Sequence, residues 1–194
     1  MTRIIVLFSL LVCFGCKNGN VASEIILEVD GFITEEANQL NTEGIEISQQ
    51  GNINAGLEKF YKALEIEPEN AAILANIGLA LGMRGDESES EQYFIQSLKV
   101  SDSTYHLAGI NLGLLYYHQD RFEEGIEILN HVIENETDKP TLEGAITNRL
   151  FNYIEGGYCD LAKKDLDYVN EHLEEFPNIG TNLALLNNKI KRCN

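Results

Sequence analysis

The chain has 194 residues, enough for one domain that buries roughly 70% of its unfolded surface, so no second domain is required. Its 14 basic residues stand against 31 acidic ones. Phosphate polymers and anionic bilayers are repelled by that balance, and the one basic cluster is the short run Lys189-Ile190-Lys191-Arg192, so no nucleic-acid partner is expected.

From the N-terminus, Arg3 supplies a positive start, Ile4 to Phe14 is an apolar run, and Gly15-Cys16 ends it. This pattern predicts a secretory signal over residues 1–15. A small residue followed by cysteine after a short apolar run resembles the lipobox of bacterial lipoproteins. That resemblance implies lipidation of Cys16 and a mature N-terminus there, with the domain anchored to the inner or outer membrane and facing periplasm or exterior. Cys13 and Phe14 depart from the usual lipobox residues, and soluble secretion and an uncleaved anchor stay open; the run is too short to span a bilayer. Removing the signal deletes only Arg3, which leaves 13 basic residues and a net charge of −18. Residues 16–34 lack a clear helical period and read as a tether.

Beyond the tether, Gly44, Gly78 and Gly113 recur at spacings of 34 and 35 residues in similar apolar contexts. Self-similarity at this period marks a stack of supersecondary units, each needing its neighbour to bury an apolar face. The first copy, residues 37–70, carries Leu40, Gly44, Ile47, Gly51, Gly56, Phe60, Ala63 and Pro68. It resembles a tetratricopeptide repeat, with Glu43 at a usually apolar place. The second, 71–104, has Leu74, Ile77, Gly78, Leu81, Ser90, Phe94 and Ser97. The third, about 106–139, has Leu112, Gly113, Tyr116, Gly125, Leu129 and Val132. The fourth, about 143–176, is the most degenerate, with Arg149 and Leu150 where an apolar and a small residue are expected. A capping helix is expected over about 180–192.

The resemblance implies an all-α fold: a right-handed α-α superhelix of about four helix-turn-helix repeats plus the cap, over residues 35–194. Paired helices approach closely where small side chains meet, so Gly44 is expected to face Ala63, and Gly78 to face Ser97. Pro68, Pro140 and Pro177 are expected just after helices, with Pro140 closing the third copy.

In this family the first helices of successive repeats line a groove that takes an extended peptide or a partner helix. Carried onto this sequence, the groove residues are Asn76, Leu79, Met83, Ile110, Asn111, Leu114, Tyr117, His118, Asn148 and Phe151. Asparagine recurs at one place as Asn76, Asn111 and Asn148, with Asn41 one place early. An amide both donates to and accepts from a peptide backbone, so these three could hold an extended segment or simply bond within the stack. The two-lysine clamp of chaperone-binding members is missing from these places.

No HExxH, GxSxG, Walker loop, dinucleotide glycine fingerprint or calcium-loop spacing occurs, and His106, His118, His131 and His172 never stand at i, i+3 or i+4 to one another. No catalytic residue, cofactor or metal site is therefore expected. Acidic runs such as Asp86 to Glu91 read as a solvated face or as a site for a basic partner. Cys159 and Cys193 either pair in an oxidising compartment, clamping the terminal helix, or stay free thiols.

The expected function is a non-enzymatic protein-interaction adaptor: a lipid-tethered envelope protein whose groove takes a protein or peptide. Two alternatives stay open. One is a dedicated subunit of an envelope machine, in outer-membrane assembly or as a pilus or secretin pilot lipoprotein. The other is an accessory or unrecognised hydrolase.

Overall fold

A computed structural model describes residues 6–8, 25–27, 31–32, 34–176 and 179–193. The chain divides into two compact units, Met1–Asn111 and Leu112–Asn194. In the first unit β1 (Val6–Phe8) and β2 (Ile25–Leu27) pair antiparallel, with Val6 opposite Leu27. Cys16 and the expected lipobox lie outside the described residues.

Four helices follow, and the first three have side-chain caps that the sequence supplies. α1 (Glu35–Gln49) begins where the Thr34 hydroxyl accepts the Ala37 N–H at 3.3 Å, and Glu35 and Glu36 set negative charge at the positive end of its dipole. α2 (Ile53–Ile66) and α3 (Ala71–Arg84) start behind Asn52 and Asn70; the Asn70 carbonyl oxygen accepts from Ala72 and Ile73 at 3.0 and 3.2 Å. α3 stops at Gly85, where φ of 93° favours a residue without Cβ. α4 (Glu87–Val100) then runs back along α3. α5 (His106–His118) carries the chain across the boundary between units.

Within this unit the helices alternate in how much they bury. α2 hides one stripe, Gly56, Leu57, Phe60 and Ala63, and α4 hides Ser90, Phe94, Ser97 and Leu98. α3 instead buries every residue from Ala72 to Gly82. A helix enclosed on all sides reads as apolar throughout, whereas one with a solvent face keeps the 3.6-residue alternation.

The glycines face different partners from those expected. A methyl on Gly44 would lie 2.6 Å from a Phe60 ring carbon, and one on Gly78 would lie 2.9 Å from Phe94. Ser97 sits opposite Ala71, donating to its carbonyl at 2.8 Å, while Ser90 donates to the Gly78 carbonyl at 2.6 Å. Side chains on a helix lean toward its N-terminus, so the Phe94 ring reaches back along α4 and lies over Gly78. The glycine thus makes room for a ring on the partner helix, not for a second small residue.

In the second unit α6 (Phe122–Asn135), α7 (Lys139–Glu155), α8 (Cys159–Glu171) and α9 (Gly180–Ile190) complete the nine helices of the described residues. Gly113 receives Leu129 instead of a ring. Pro140 does not close a helix; it opens α7, one of the first two residues behind the Asp138 cap, whose carboxylate accepts the Thr141 N–H at 3.1 Å. Proline lacks an N–H that the first turn has no partner for, so the position costs nothing. As a result α7 begins four residues ahead of the expected fourth copy. Pro177 lies outside the described residues.

Candidate binding surfaces

In the first unit the chain enters the helices under restraint. The Thr34 N–H and hydroxyl both donate to one Glu67 oxygen, at 2.8 and 2.9 Å, and Asn70 Nδ2 donates to the other at 2.8 Å and to the Gly31 carbonyl at 3.2 Å. Glu67 and Asn70 are buried, and Phe32 packs against the apolar cluster around Phe60 and Ile77. A buried carboxylate needs several donors, and here two come from Thr34 of the entering segment and one from Asn70. Gly31, Phe32 and Thr34, within the expected tether, therefore belong to the fold.

The groove residues of this unit lie on α3 and on the start of α5. Asn76, Leu79, Ile110 and Asn111 are buried, and Met83 is half-buried. Asn76 Nδ2 donates to Asn41 Oδ1 at 2.9 Å, so part of its hydrogen-bonding capacity is used between α1 and α3. The Asn41 Nδ2 and Asn38 Oδ1 atoms, on the same wall of α1, are buried without a hydrogen bond. One donor and one acceptor are thus left unmatched three residues apart, which costs stability until something pairs with them.

The second unit gathers rings. Centroid to centroid, Tyr117 lies 5.1 Å from His118 in a T-shaped pair, and 5.8 Å from Phe151 and 6.3 Å from Phe122 in tilted ones. Such edge-to-face separations are those of packed aromatic pairs. Burial first, and then the nearby charges of Glu155 and Asp120, push the Tyr117 hydroxyl up to about 12, so it stays a neutral donor. Leu114, Asn148 and Phe151 are buried and His118 is half-buried. Behind them the fully buried Asn152 donates to the Gly113 carbonyl at 3.2 Å and to the Asn148 carbonyl at 2.8 Å.

Where the fourth copy departs from the repeat pattern, other chemistry replaces the small-residue contact. Leu150 is fully buried at the place held by glycine in earlier copies. Arg149 donates to Asp165 and to the Asn130 side chain at 2.8 and 2.7 Å, and its guanidinium lies 5.6 Å from the Tyr153 ring centre. Burial raises the Asp165 carboxyl above its usual range, and the Arg149 charge pulls it partly back. Cys159, at the start of α8, is joined to Cys193, just beyond α9, with Cα atoms 5.6 Å apart. Glu143, buried near the start of α7, accepts the Ile179 N–H at the start of α9.

Two of these polar groups escaped the reading of the sequence. Glu67 and Glu143 bond backbone N–H groups 33 and 36 residues away, and no local pattern marks such a partner. Asn152 carried a weak signal, as a polar residue inside an otherwise apolar stretch. Among the described residues no cluster of three or more His, Cys, Asp or Glu side chains is placed to hold a metal ion, and no helix is long and apolar enough to cross a membrane.

No protein-family model matches the chain, and no curated protein matches it. Solved structures do. A MamA structure from Desulfovibrio magneticus RS-1, beginning at its residue 41, matches with TM-score 0.60 and 15% identity, over 84% of this chain and 97% of that one. A MamA RS-1 double mutant matches with TM-score 0.60 and 14% identity, over 84% and 96%. The Sgt2 TPR domain from Aspergillus fumigatus matches with TM-score 0.53 and 23% identity, over 60% and 78%. At these identities the likeness is one of fold, and the chain has the all-α helical-hairpin architecture of tetratricopeptide repeats.

Proposed function

We propose that the chain is a non-enzymatic interaction module: a lipoprotein tethered through Cys16 in a bacterial cell envelope, capturing an extended peptide or a partner helix along the first helices of its repeats. The observation that carries this reading is the composition of those helices. α3 and the first turns of α5 carry buried amides and aliphatics, Asn76, Leu79, Ile110 and Asn111, at the places that the resemblance to tetratricopeptide repeats assigns to the groove wall.

The disulfide supports an exported location, because such bonds persist in oxidising compartments. Tethering raises the concentration of the module near other envelope components, so a modest intrinsic affinity suffices. No constellation of nucleophile, base and orienting group accompanies the groove residues, which sets the hydrolase reading below the adaptor.

The test combines lipid labelling with partner capture. Incorporation of an alkyne-palmitate analogue should disappear in Cys16→Ser. Alanine at Asn76, Asn111 and Asn148 together should abolish capture of the wild-type partner while helicity by circular dichroism is kept. Labelling that survives Cys16→Ser contradicts the tether, and unchanged capture by the folded triple variant contradicts the groove. A captured set confined to one assembly apparatus would identify a dedicated subunit of an envelope machine.

A further inference from the structure

α9 is held to the second unit in an uneven way. It is 11 residues long, below the length at which an isolated helix persists in water, so its order depends on contacts with α7 and α8. Those contacts are few: Leu186 is its one fully buried apolar side chain among the described residues, joined by the buried Asn182 and by Ile179 just ahead of the helix. No side chain of its own caps its first turn.

Two attachments at opposite ends make up the difference. At the start, the Glu143 carboxylate of α7 accepts the Ile179 N–H, setting a negative group at the positive end of the helix dipole. At the far end, Cys193 is bonded to Cys159, and its Sγ lies 3.7 Å from the Ile154 carbonyl. Lys189 adds an ion pair with Glu155 at the edge of the solvent. Both cysteines are half-buried and so open to attack by a thiolate from outside.

We propose that the Cys159–Cys193 bond is a redox latch: its reduction by a dithiol releases the far end of α9, while Glu143 keeps the near end hinged at Ile179. In the step, one thiolate of the reductant attacks a sulfur of the disulfide and displaces the other cysteine as thiolate. The second thiol of the reductant then closes its own disulfide and frees the remaining cysteine. Two electrons pass from dithiol to protein, and two protons end on Cys159 and Cys193. The opened helix uncovers the end of α7 at Ile154 and separates Lys189 from Glu155, whose residue stands beside the ring cluster of Tyr117 and Phe151.

Hydrogen–deuterium exchange on the full chain, oxidised and after dithiothreitol, tests the latch without reference to any binding partner. Amides of Leu185 to Cys193 should exchange at least tenfold faster after reduction, whereas those of α6 and α7 keep their rates and the Ile179 amide changes by less than threefold. A Cys159→Ser, Cys193→Ser double variant should show the reduced pattern with or without dithiothreitol. Unchanged exchange of α9 on reduction would overturn the proposal. So would acceleration spread evenly over α6 to α9, which would make the bond a staple of the whole unit.

Discussion

In the hairpin of α3 and α4, Phe94 covers Gly78 and two serines donate to backbone carbonyls of α3; in that of α7 and α8, Leu150 fills the glycine place and Arg149 spans Asp165 and Asn130. Both solve one problem, the close approach of two helices. The first solves it by shape, a ring in the hollow left by a missing side chain, and every polar group involved bonds to backbone. The second keeps a bulky leucine and adds an ion pair across the two helices. A repeat that departs from its pattern therefore survives where a charged pair replaces shape complementarity.

The contrast is sharpest in truncation. Phe94→Ala removes the ring that the whole α3–α4 contact is built around and should cost about 3–5 kcal/mol in urea unfolding, as fully buried aromatics do. Leu166→Ala, on α8, should cost less, about 2–3 kcal/mol, because a leucine is smaller than a ring and the Arg149–Asp165 pair remains. Equal losses would mean that the two hairpins are held alike.

Loss of the disulfide ranks next. Cys159 and Cys193 are 34 residues apart, and a loop of that length is restrained by roughly 3 kcal/mol in the chain-entropy account. Cys159→Ser should lower the free energy of opening α9 by about that amount and leave hydrogen exchange of α1 to α4, and of α6 and α7, unchanged.

The Arg149–Asp165 pair gives a subtler break. Arg149→Met leaves a half-buried carboxylate without its partner and should cost about 1–3 kcal/mol, while Arg149→Met with Asp165→Leu should restore most of it. Its pH dependence has a definite sign. Because burial raises the folded Asp165 pKa above its ordinary 3.8, the stability linked to this group is present below that value and is lost as pH rises through the folded pKa. Glu124 runs the other way: the Arg121 hydrogen bond lowers its pKa, so its contribution is lost as pH falls. In thermal melts across the carboxylate range, Asp165→Asn should remove the loss seen on raising pH. Smallest of all, Lys59→Ala at the exposed pair with Glu43 should leave the unfolding midpoint unchanged.

The repeat period could be read from the sequence, because it follows from where apolar and small residues recur. What faces the glycines could not. The pattern marks Ala63 and Ser97 as small, yet the lean of side chains along their own helix brings Phe60 and Phe94 to the glycines. Pro140 was legible as a boundary but not for its side, since proline suits both the residues after one helix and the first turn of the next. The groove residues could be named from the family pattern; that Asn76 is bonded to Asn41 depends on the distance between α1 and α3, which one helix alone does not determine.

The central claim is that ligand lies along the first helices and not on the second. A photo-crosslinking amino acid placed at Met83, half-buried on α3, or at Gln96, exposed on α4, asks this directly in the native envelope. The account predicts one discrete adduct from Met83 and none from Gln96. Adducts from Gln96 alone, or the same adducts from both, would contradict it.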